Sequence, residues 1–388
     1  VTSEILSTTL ARVQNHSDPG LDLAACAGQV LVVGFPSEGP PAELRALARS
    51  GALGGYILFK RNVGTMDEVA ALVAELVAGV PAERPLLVAV DQEGGRVARL
   101  KAPVLPLPPM LQLASLGDAS LVRRAASALG RQLRALGFTM DFAPVLDIDT
   151  NPKNPVIGDR AFGRDAATVI EHGLAFSDGL LDAQVLSCGK HFPGHGDTFL
   201  DSHLALPRLA HERARLEAME LAPFRAARGR VPSLMTAHIV FEALDPDVPA
   251  TLSSRVITEL LRRELGYDGV VISDDLEMKA VADHYETGDA ACRAIAAGCD
   301  TVLVCSKPEL ALVARDALLR RAEQDAPFAA RLRDAAARSL AMRRRVPAPA
   351  PITDAAALRA ALEAPAITAV AAELTARLAA HAAVPPRG

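Results

Sequence analysis

Eight short apolar runs, amphipathic Ala/Leu/Arg-rich stretches between most of them, and polar side chains gathered where the runs end predict the α/β class, folded as a single (β/α)8 TIM-type barrel. An Ala-rich helical C-terminal extension completes the prediction. The runs are apolar throughout rather than alternating, as expected for a parallel sheet covered on both faces by helices. In order they are Val30–Val33, Tyr56–Phe59, Leu86–Val90, Phe138–Ala143, Val185–Cys188, Ser233–Ala237, Val270–Ser273 and Thr301–Cys305. Met66–Ala78 and Leu121–Leu136 show the helical periodicity of the intervening segments. The rival is an open doubly wound sheet, which usually carries a glycine-rich phosphate turn after an early strand; no G-x-G-x-x-G follows Val30–Val33.

Residues 1–27 read as a leading helix and connector with a turn at Ser17–Gly20, residues 28–345 as the barrel, and residues 346–388 as a Pro/Ala linker (Val346–Pro351) and helical tail. The 388 residues are 50% hydrophobic and 22% charged, which suits a core-forming chain and excludes disorder. With 41 basic and 46 acidic residues the net charge is −5, and there is no long basic run. Nucleic acid and an anionic membrane are therefore not expected as partners. No apolar stretch approaches the roughly 18 residues that span a bilayer, and no basic segment followed by a hydrophobic one opens the chain. Five scattered cysteines without C-x-x-C spacing suit reduced core thiols. A cytoplasmic location is expected.

The polar strand ends carry the chemistry. After the third strand, Asp91-Gln-Glu-Gly-Gly-Arg-Val-Ala-Arg99 places acid, glycine and arginine together. Asp91 could accept two hydroxyl hydrogen bonds from a sugar and Arg99 could hold a polar oxygen; an ion pair between Asp91 and either arginine is the bland alternative. Glu93 and Arg96 are expected to pair internally rather than meet a ligand. Asp147 and Asp149 stand after the fourth strand, followed by an irregular loop, Asn151–Arg160, whose two prolines preset the backbone and give Arg160 a fixed origin. The alternative is a solvated loop arginine.

Lys190-His-Phe-Pro-Gly-His-Gly-Asp-Thr-Phe-Leu-Asp-Ser-His203 holds three of the nine histidines. It places Lys190 and His191 at the barrel mouth, with Asp201 and His203 on a longer loop. One residue separates Asp201 from His203, so in an extended loop both side chains face one way. A carboxylate beside an imidazole orients it, selects its tautomer and raises its pKa, making a proton donor and acceptor near neutral pH. A helix cap with an incidental histidine is the alternative. Val271-Ile-Ser-Asp-Asp275 ends the seventh strand with adjacent carboxylates, and alternation lets only one point along the barrel axis. Asp274 is assigned to attack and Asp275 to cap a helix, a nearly even choice on pattern alone.

Taken together these stretches resemble the family 3 glycoside hydrolases, specifically the bacterial β-N-acetylglucosaminidase (β-N-acetylhexosaminidase) branch used in cell-wall recycling, over roughly residues 28–345. Lys190-His-Phe-Pro-Gly-His-Gly followed by Asp201-Ser-His203 carries most of the resemblance. Asp91-Gln-Glu-Gly-Gly-Arg, Phe142-Ala-Pro-Val-Leu-Asp147, Gly158-Asp-Arg160, Thr236-Ala-His238 and Ser273-Asp-Asp275 support it. The resemblance implies hydrolysis of terminal β-linked N-acetylglucosamine with retention of configuration, on peptidoglycan-derived fragments, by a monomer without metal or other cofactor. Asp274 becomes the nucleophile, and His203, oriented by Asp201, the general acid/base. Asp91, Arg99, Arg160, Lys190 and His191 become the residues that grip the sugar, with His238 beside them.

The absence of tryptophan and the presence of only three tyrosines suit a pocket for one terminal sugar rather than a stacking groove. Four rival readings stand beside this one. A phosphorylase would exchange water for phosphate, and a family 3 β-glucosidase of two-domain type commonly takes its acid/base from the second domain. A metal-dependent barrel hydrolase could draw ligands from His191, His195, His203 and His238, but no H-x-H follows the first strand. A non-catalytic sugar sensor would keep Asp91, Arg160, Lys190 and His191 without needing Asp274 or His203.

Overall fold

In the computed structural model, which describes residues 21–202 and 206–383, every one of the eight apolar runs contributes a strand and the sheet closes on itself. The strands are β1 (Leu31–Val33), β2 (Gly55–Leu58), β3 (Leu87–Val90), β4 (Met140–Asp141), β5 (Leu186–Phe192), β6 (Ser233–Thr236), β7 (Val270–Asp275) and β8 (Thr301–Val304). Each pairs in parallel with its sequence neighbours, and β1 closes against β8 with Leu31 opposite Val302. This is the predicted barrel, and the open sheet is excluded.

Alternation along the strands divides the apolar side chains into two layers. Val32, Ile57, Ala89, Met140, Cys188, Met235, Ile272 and Leu303, one from each strand, form a buried cluster inside the barrel, joined by Met342. Their neighbours Leu31, Val33, Tyr56, Leu58, Val88, Val90, Val302 and Val304 belong to the larger core beneath the helices. Being buried on both faces is why the strands read as continuous apolar runs.

Two strands depart furthest from expectation. Phe138–Ala143 shrinks to Met140–Asp141 because Pro144 has no N–H to continue the ladder, and only an isolated bridge, Val145 to Lys190, follows. Strand β5 instead runs on through Lys190 and His191 to Phe192, since both polar side chains find partners in the segments that follow other strands.

Helix α1 (Leu23–Gln29) precedes the barrel, and the crossover helices include α2 (Ala42–Arg49), α3 (Met66–Val77), α4 (Ala119–Ala135) and α5 (Ala166–Asp182). Their starts follow capping chemistry. Thr65 and Glu68 form a reciprocal capping box on α3, and the carboxylates of Asp118 and Asp165 accept N–H groups of Leu121 and Thr168 to begin α4 and α5. Helices α6 (Ala222–Ala227), α7 (Arg255–Glu264, with π-type turns), α8 (Thr287–Ala297) and α9 (Pro308–Gln324) complete the ring. Helix α10 (Ala326–Arg343) runs back to α1, where the buried Arg343 donates to the Gln29 carbonyl.

The linker is pinned rather than loose: Arg134 donates to the carbonyls of Pro347 and Ala348, and the Ile352 N–H to that of Ala135. Helices α11 (Ala355–Leu362) and α12 (Pro365–Ala382) then pack on α4 and bury Leu358, Leu362, Ile367 and Leu374. The expected turn at Ser17–Gly20 lies outside the described residues. All five cysteines are free thiols and buried.

Candidate active site

Beyond Val90 the chain forms a small antiparallel ribbon, Gln92–Gly94 with Val97–Ala98. Glycine is required at its turn: Gly94 and Gly95 have φ of +112° and +53°, and a Cβ on Gly95 would lie 3.0 Å from the Pro109 Cα. The turn carries Glu93 inward and returns Arg99 to Asp91. Here the ends of β2 through β8 enclose a cavity of about 200 Å³, the scale of a single hexose, at the barrel mouth.

One wall is an ion-pair network drawn from three strand ends. Lys190 Nζ lies 3.0 Å from Asp91 Oδ1 and 2.6 Å from Glu93 Oε1. The Arg160 guanidinium donates to both Glu93 oxygens at 2.8 Å, and Arg99 Nη2 donates to Asp91 Oδ2 at 3.3 Å. Burial pushes the Glu93 carboxyl up, but the charges of Arg160 and Lys190 outweigh it and hold the group well below the usual carboxylate range. Burial likewise opposes the charge of Lys190, and Asp91 with Glu93 raises that ammonium above its ordinary value. Glu93 and Lys190 therefore stay ionised at neutral pH, and Asp91, Arg99, Arg160 and Lys190 all line the cavity.

Arg160 is therefore no solvated loop arginine. The Asp91–Arg99 ion pair forms, yet both residues still face the cavity. Glu93 also borders the cavity, paired with Arg160 and Lys190, while Arg96 turns outward to Asp159 at 3.2 Å.

A second wall rests on Asp147, which is buried completely. Its carboxylate accepts the backbone N–H groups of His191 (3.1 Å) and His195 (2.7 Å) and the Nδ1–H of His191 at 2.6 Å. Burial raises the Asp147 pKa, and the His191 charge and hydrogen bond then bring it below its ordinary value. The bond fixes the His191 ring so that Nε2 remains for a ligand. His195 also lines the cavity but is occupied: Nδ1 lies 2.9 Å from the Thr198 hydroxyl and Nε2 3.0 Å from that of Ser202. Burial, then the charge of His191, pushes its pKa down to about 4, so it is neutral at physiological pH.

Opposite, β7 delivers Asp274 and Asp275, and both line the cavity. The expectation that Asp275 caps a helix is corrected. Its Oδ1 accepts the N–H groups of Glu277 at 3.1 Å and Cys305 at 3.2 Å, closing the turn after β7 onto the end of β8. Burial pushes Asp275 up to about 7. Asp274 Oδ1 accepts the N–H of Asp275 at 2.8 Å.

His238 is also corrected. It is fully buried and does not line the cavity; Nε2–H donates to the Asp275 carbonyl at 2.9 Å and Nδ1 lies 2.8 Å from the Thr251 hydroxyl. It braces the carboxylate turn, with both ring nitrogens engaged by Thr251 and the Asp275 carbonyl. Asp201 is half-buried beside the cavity-lining Ser202. His203, its expected partner, lies outside the described residues.

Sequence reasoning missed Asp147 as a support and Phe59, whose ring lines the cavity beneath Arg61 and Arg99; it expected Glu93 to pair internally but not that its partners would be Arg160 and Lys190. Asp147 was visible only as one strand-end acid among several. For Glu93 the available signal was the glycine pair beside it, which forces a turn directly at the site.

The model of the glycosyl hydrolase family 3 N-terminal domain matches residues 24–340. A beta-hexosaminidase of Alkalilimnicola ehrlichii is 42% identical over 286 residues, covering 72% of this chain and 81% of that protein. Among solved structures, the family 3 β-N-acetylglucosaminidase of Paenibacillus sp. str. FPU-7 superposes with a TM-score of 0.82 at 42% identity, covering 91% of this chain and 69% of that one. NagZ of Neisseria gonorrhoeae, in complex with N-trifluoroacetyl-D-glucosamine, gives a TM-score of 0.74 at 32% identity, over 90% of this chain and 98% of that one.

Proposed function

The chain belongs to glycosyl hydrolase family 3 and is a glycoside hydrolase, and we propose that it is a retaining β-N-acetylhexosaminidase releasing terminal β-linked N-acetylglucosamine. One observation carries this reading: a cavity sized for one sugar has the Asp91, Arg99, Lys190 and Arg160 network on one side and Asp274 on the other. The names of the relatives supply the sugar.

In the proposed reaction Asp91 accepts sugar hydroxyls, while Arg99, Lys190, Arg160 and His191 hold sugar oxygens and fix the ring over Asp274. Asp274 attacks the anomeric carbon as the glycosidic bond breaks, and protonated His203 donates its proton to the leaving oxygen. Neutral His203 then takes a proton from water, whose oxygen displaces Asp274 from the anomeric carbon. Asp201 orients His203 and favours its charged form. The role of His203 rests on its motif with Asp201.

Two features favour Asp274 over Asp275 as nucleophile. Two backbone N–H groups occupy Asp275, and its raised pKa leaves a substantial protonated fraction near neutrality. Peptidoglycan-derived fragments are the proposed source of substrate and the cytoplasm the proposed compartment; the five free, buried thiols support a reducing setting. The test is a panel of aryl β-N-acetylglucosaminide, β-glucoside and β-xyloside. Preference for the first is expected, and preference for either other sugar would overturn the assignment.

A further inference from the structure

Among the described residues, three large apolar side chains are strongly exposed: Phe199 at 70%, Leu200 at 51% and Val313 at 48%. Val313 stands alone on α9, and an isolated surface residue of this kind is ordinary. Phe199 and Leu200 are adjacent, on the loop after β5, between the cavity-lining residues His195 and Ser202. An exposed apolar pair in a loop whose flanking residues line a polar cavity is not ordinary, least of all in a chain that buries Phe35, Phe138, Phe142, Phe176 and Phe224 completely.

The loop is tied down on both sides of the pair. Thr198 is fully buried, its carbonyl accepting from Asn151 Nδ2 and its hydroxyl from Asn154 Nδ2, each at 3.2 Å. Ser202 is equally buried, its hydroxyl 3.0 Å from His195 Nε2 and its carbonyl accepting the Ala280 N–H at 3.3 Å. With both flanks anchored inward, the side chains between them stand outside the core.

We propose that Phe199 and Leu200 form a leaving-group subsite, an apolar shelf for the carbon–hydrogen face of a second pyranose ring. The inference rests on the hydrolase reading above. The cavity has room for one sugar, so whatever is joined to that sugar through the scissile oxygen must lie outside it. The charged groups of the cavity are directed at the first ring, and the exposed pair offers only dispersion contact and apolar burial. An aromatic side chain provides these to the hydrogen-bearing face of a sugar ring. A leaving group without such a face gains nothing there.

The test compares wild type with Phe199→Ser/Leu200→Ser on N,N′-diacetylchitobiose and on methyl β-N-acetylglucosaminide. Both leaving groups are alkyl alcohols, so the demand for acid catalysis is similar. Loss of about tenfold in kcat/KM is expected on the disaccharide, with the methyl glycoside changed by less than about twofold. Phe199→Tyr should retain the preference, and matching thermal melts would show that the variants are folded. Equal effects on both substrates, or none on either, overturns the subsite while leaving the hydrolase reading intact. No turnover of either substrate by wild type overturns the hydrolase reading and the subsite with it.

Discussion

Glu93 and Arg160 meet fork to fork: Nε and Nη2 of the guanidinium donate to the two carboxylate oxygens at 2.8 Å, with Glu93 only 2% exposed. The two residues come from different strand-end loops, so the pair fixes a cavity-lining arginine from a distant part of the chain. Glu93 also receives Lys190, which makes it a positioning residue for two cations at once. Truncating it strands the Arg160 charge in a nearly buried site and leaves Lys190 with Asp91 alone. Glu93→Ala should cost about 3–5 kcal/mol of stability by urea denaturation. Glu93→Gln keeps the volume and should lower kcat/KM by about 100-fold while shifting melting less. Wild-type kinetics in Glu93→Gln would remove the positioning role.

The same pair sets a pH dependence. The native Glu93 pKa lies below its ordinary value of 4.5, so its stabilisation is complete above that value and is lost as pH falls below it toward the native value. The stability gap between wild type and Glu93→Gln should therefore be constant from pH 6 to 8, with about pH 4.5 marking the start of its narrowing. A gap that widens in acid would contradict this.

Asp141 presents the opposite sign. It is fully buried; one oxygen accepts the Gln92 N–H at 2.9 Å, the other has no hydrogen-bond partner, and burial pushes its pKa up to about 8. The native state binds a proton that the unfolded chain releases, so this group's contribution falls as pH rises from about 4 to about 8. Asp141→Asn keeps an acceptor for Gln92 and removes the ionisation. It should match wild type near pH 4 and exceed it at pH 8 by on the order of a few kcal/mol in urea midpoints analysed at each pH. Equal differences at the two pH values would show that Asp141 ionises freely.

What the sequence reveals depends on whether a residue's partner is local. The barrel strands are legible because both faces are apolar, and a run such as Val30–Val33 needs no partner to be recognised. The extension of β5 through Lys190 and His191 is not legible, because its polar side chains are satisfied by Asp91 and Asp147 from other strand ends. Glu93 finds Arg160 rather than nearby Arg96 for the same reason. His238 follows a strand end as Asp91 does, yet does not line the cavity: Thr251 and the Asp275 carbonyl claim its ring, and nothing in the local pattern marks that difference.

The acid role of His203 is separable from binding by the leaving group. A phenolate with strong electron withdrawal departs without protonation, whereas an alkoxide needs the proton in the transition state. His203→Ala should lose about 100-fold or more in kcat/KM on a disaccharide and far less on a nitrophenyl glycoside. Equal loss on both would place His203 outside proton transfer.

Asp274 and Asp275 differ by one position and both face the cavity, so the nucleophile is decided by chemistry and not by proximity. The Asp275 carboxylate ties the Glu277 and Cys305 backbone together, and its removal should first destabilise the β7–β8 end. A glycosyl-enzyme ester needs an ionised oxygen directed at the anomeric carbon, and burial pushes Asp275 toward its neutral form, which counts against it in that role. With a fluorinated slow substrate, intact-mass measurement should find a stoichiometric adduct on wild type, none on Asp274→Ala, and an adduct still present on folded Asp275→Asn. Turnover should fall by about 1,000-fold or more in Asp274→Ala. An adduct that persists in Asp274→Ala and maps by peptide sequencing to Asp275 would exchange the two assignments.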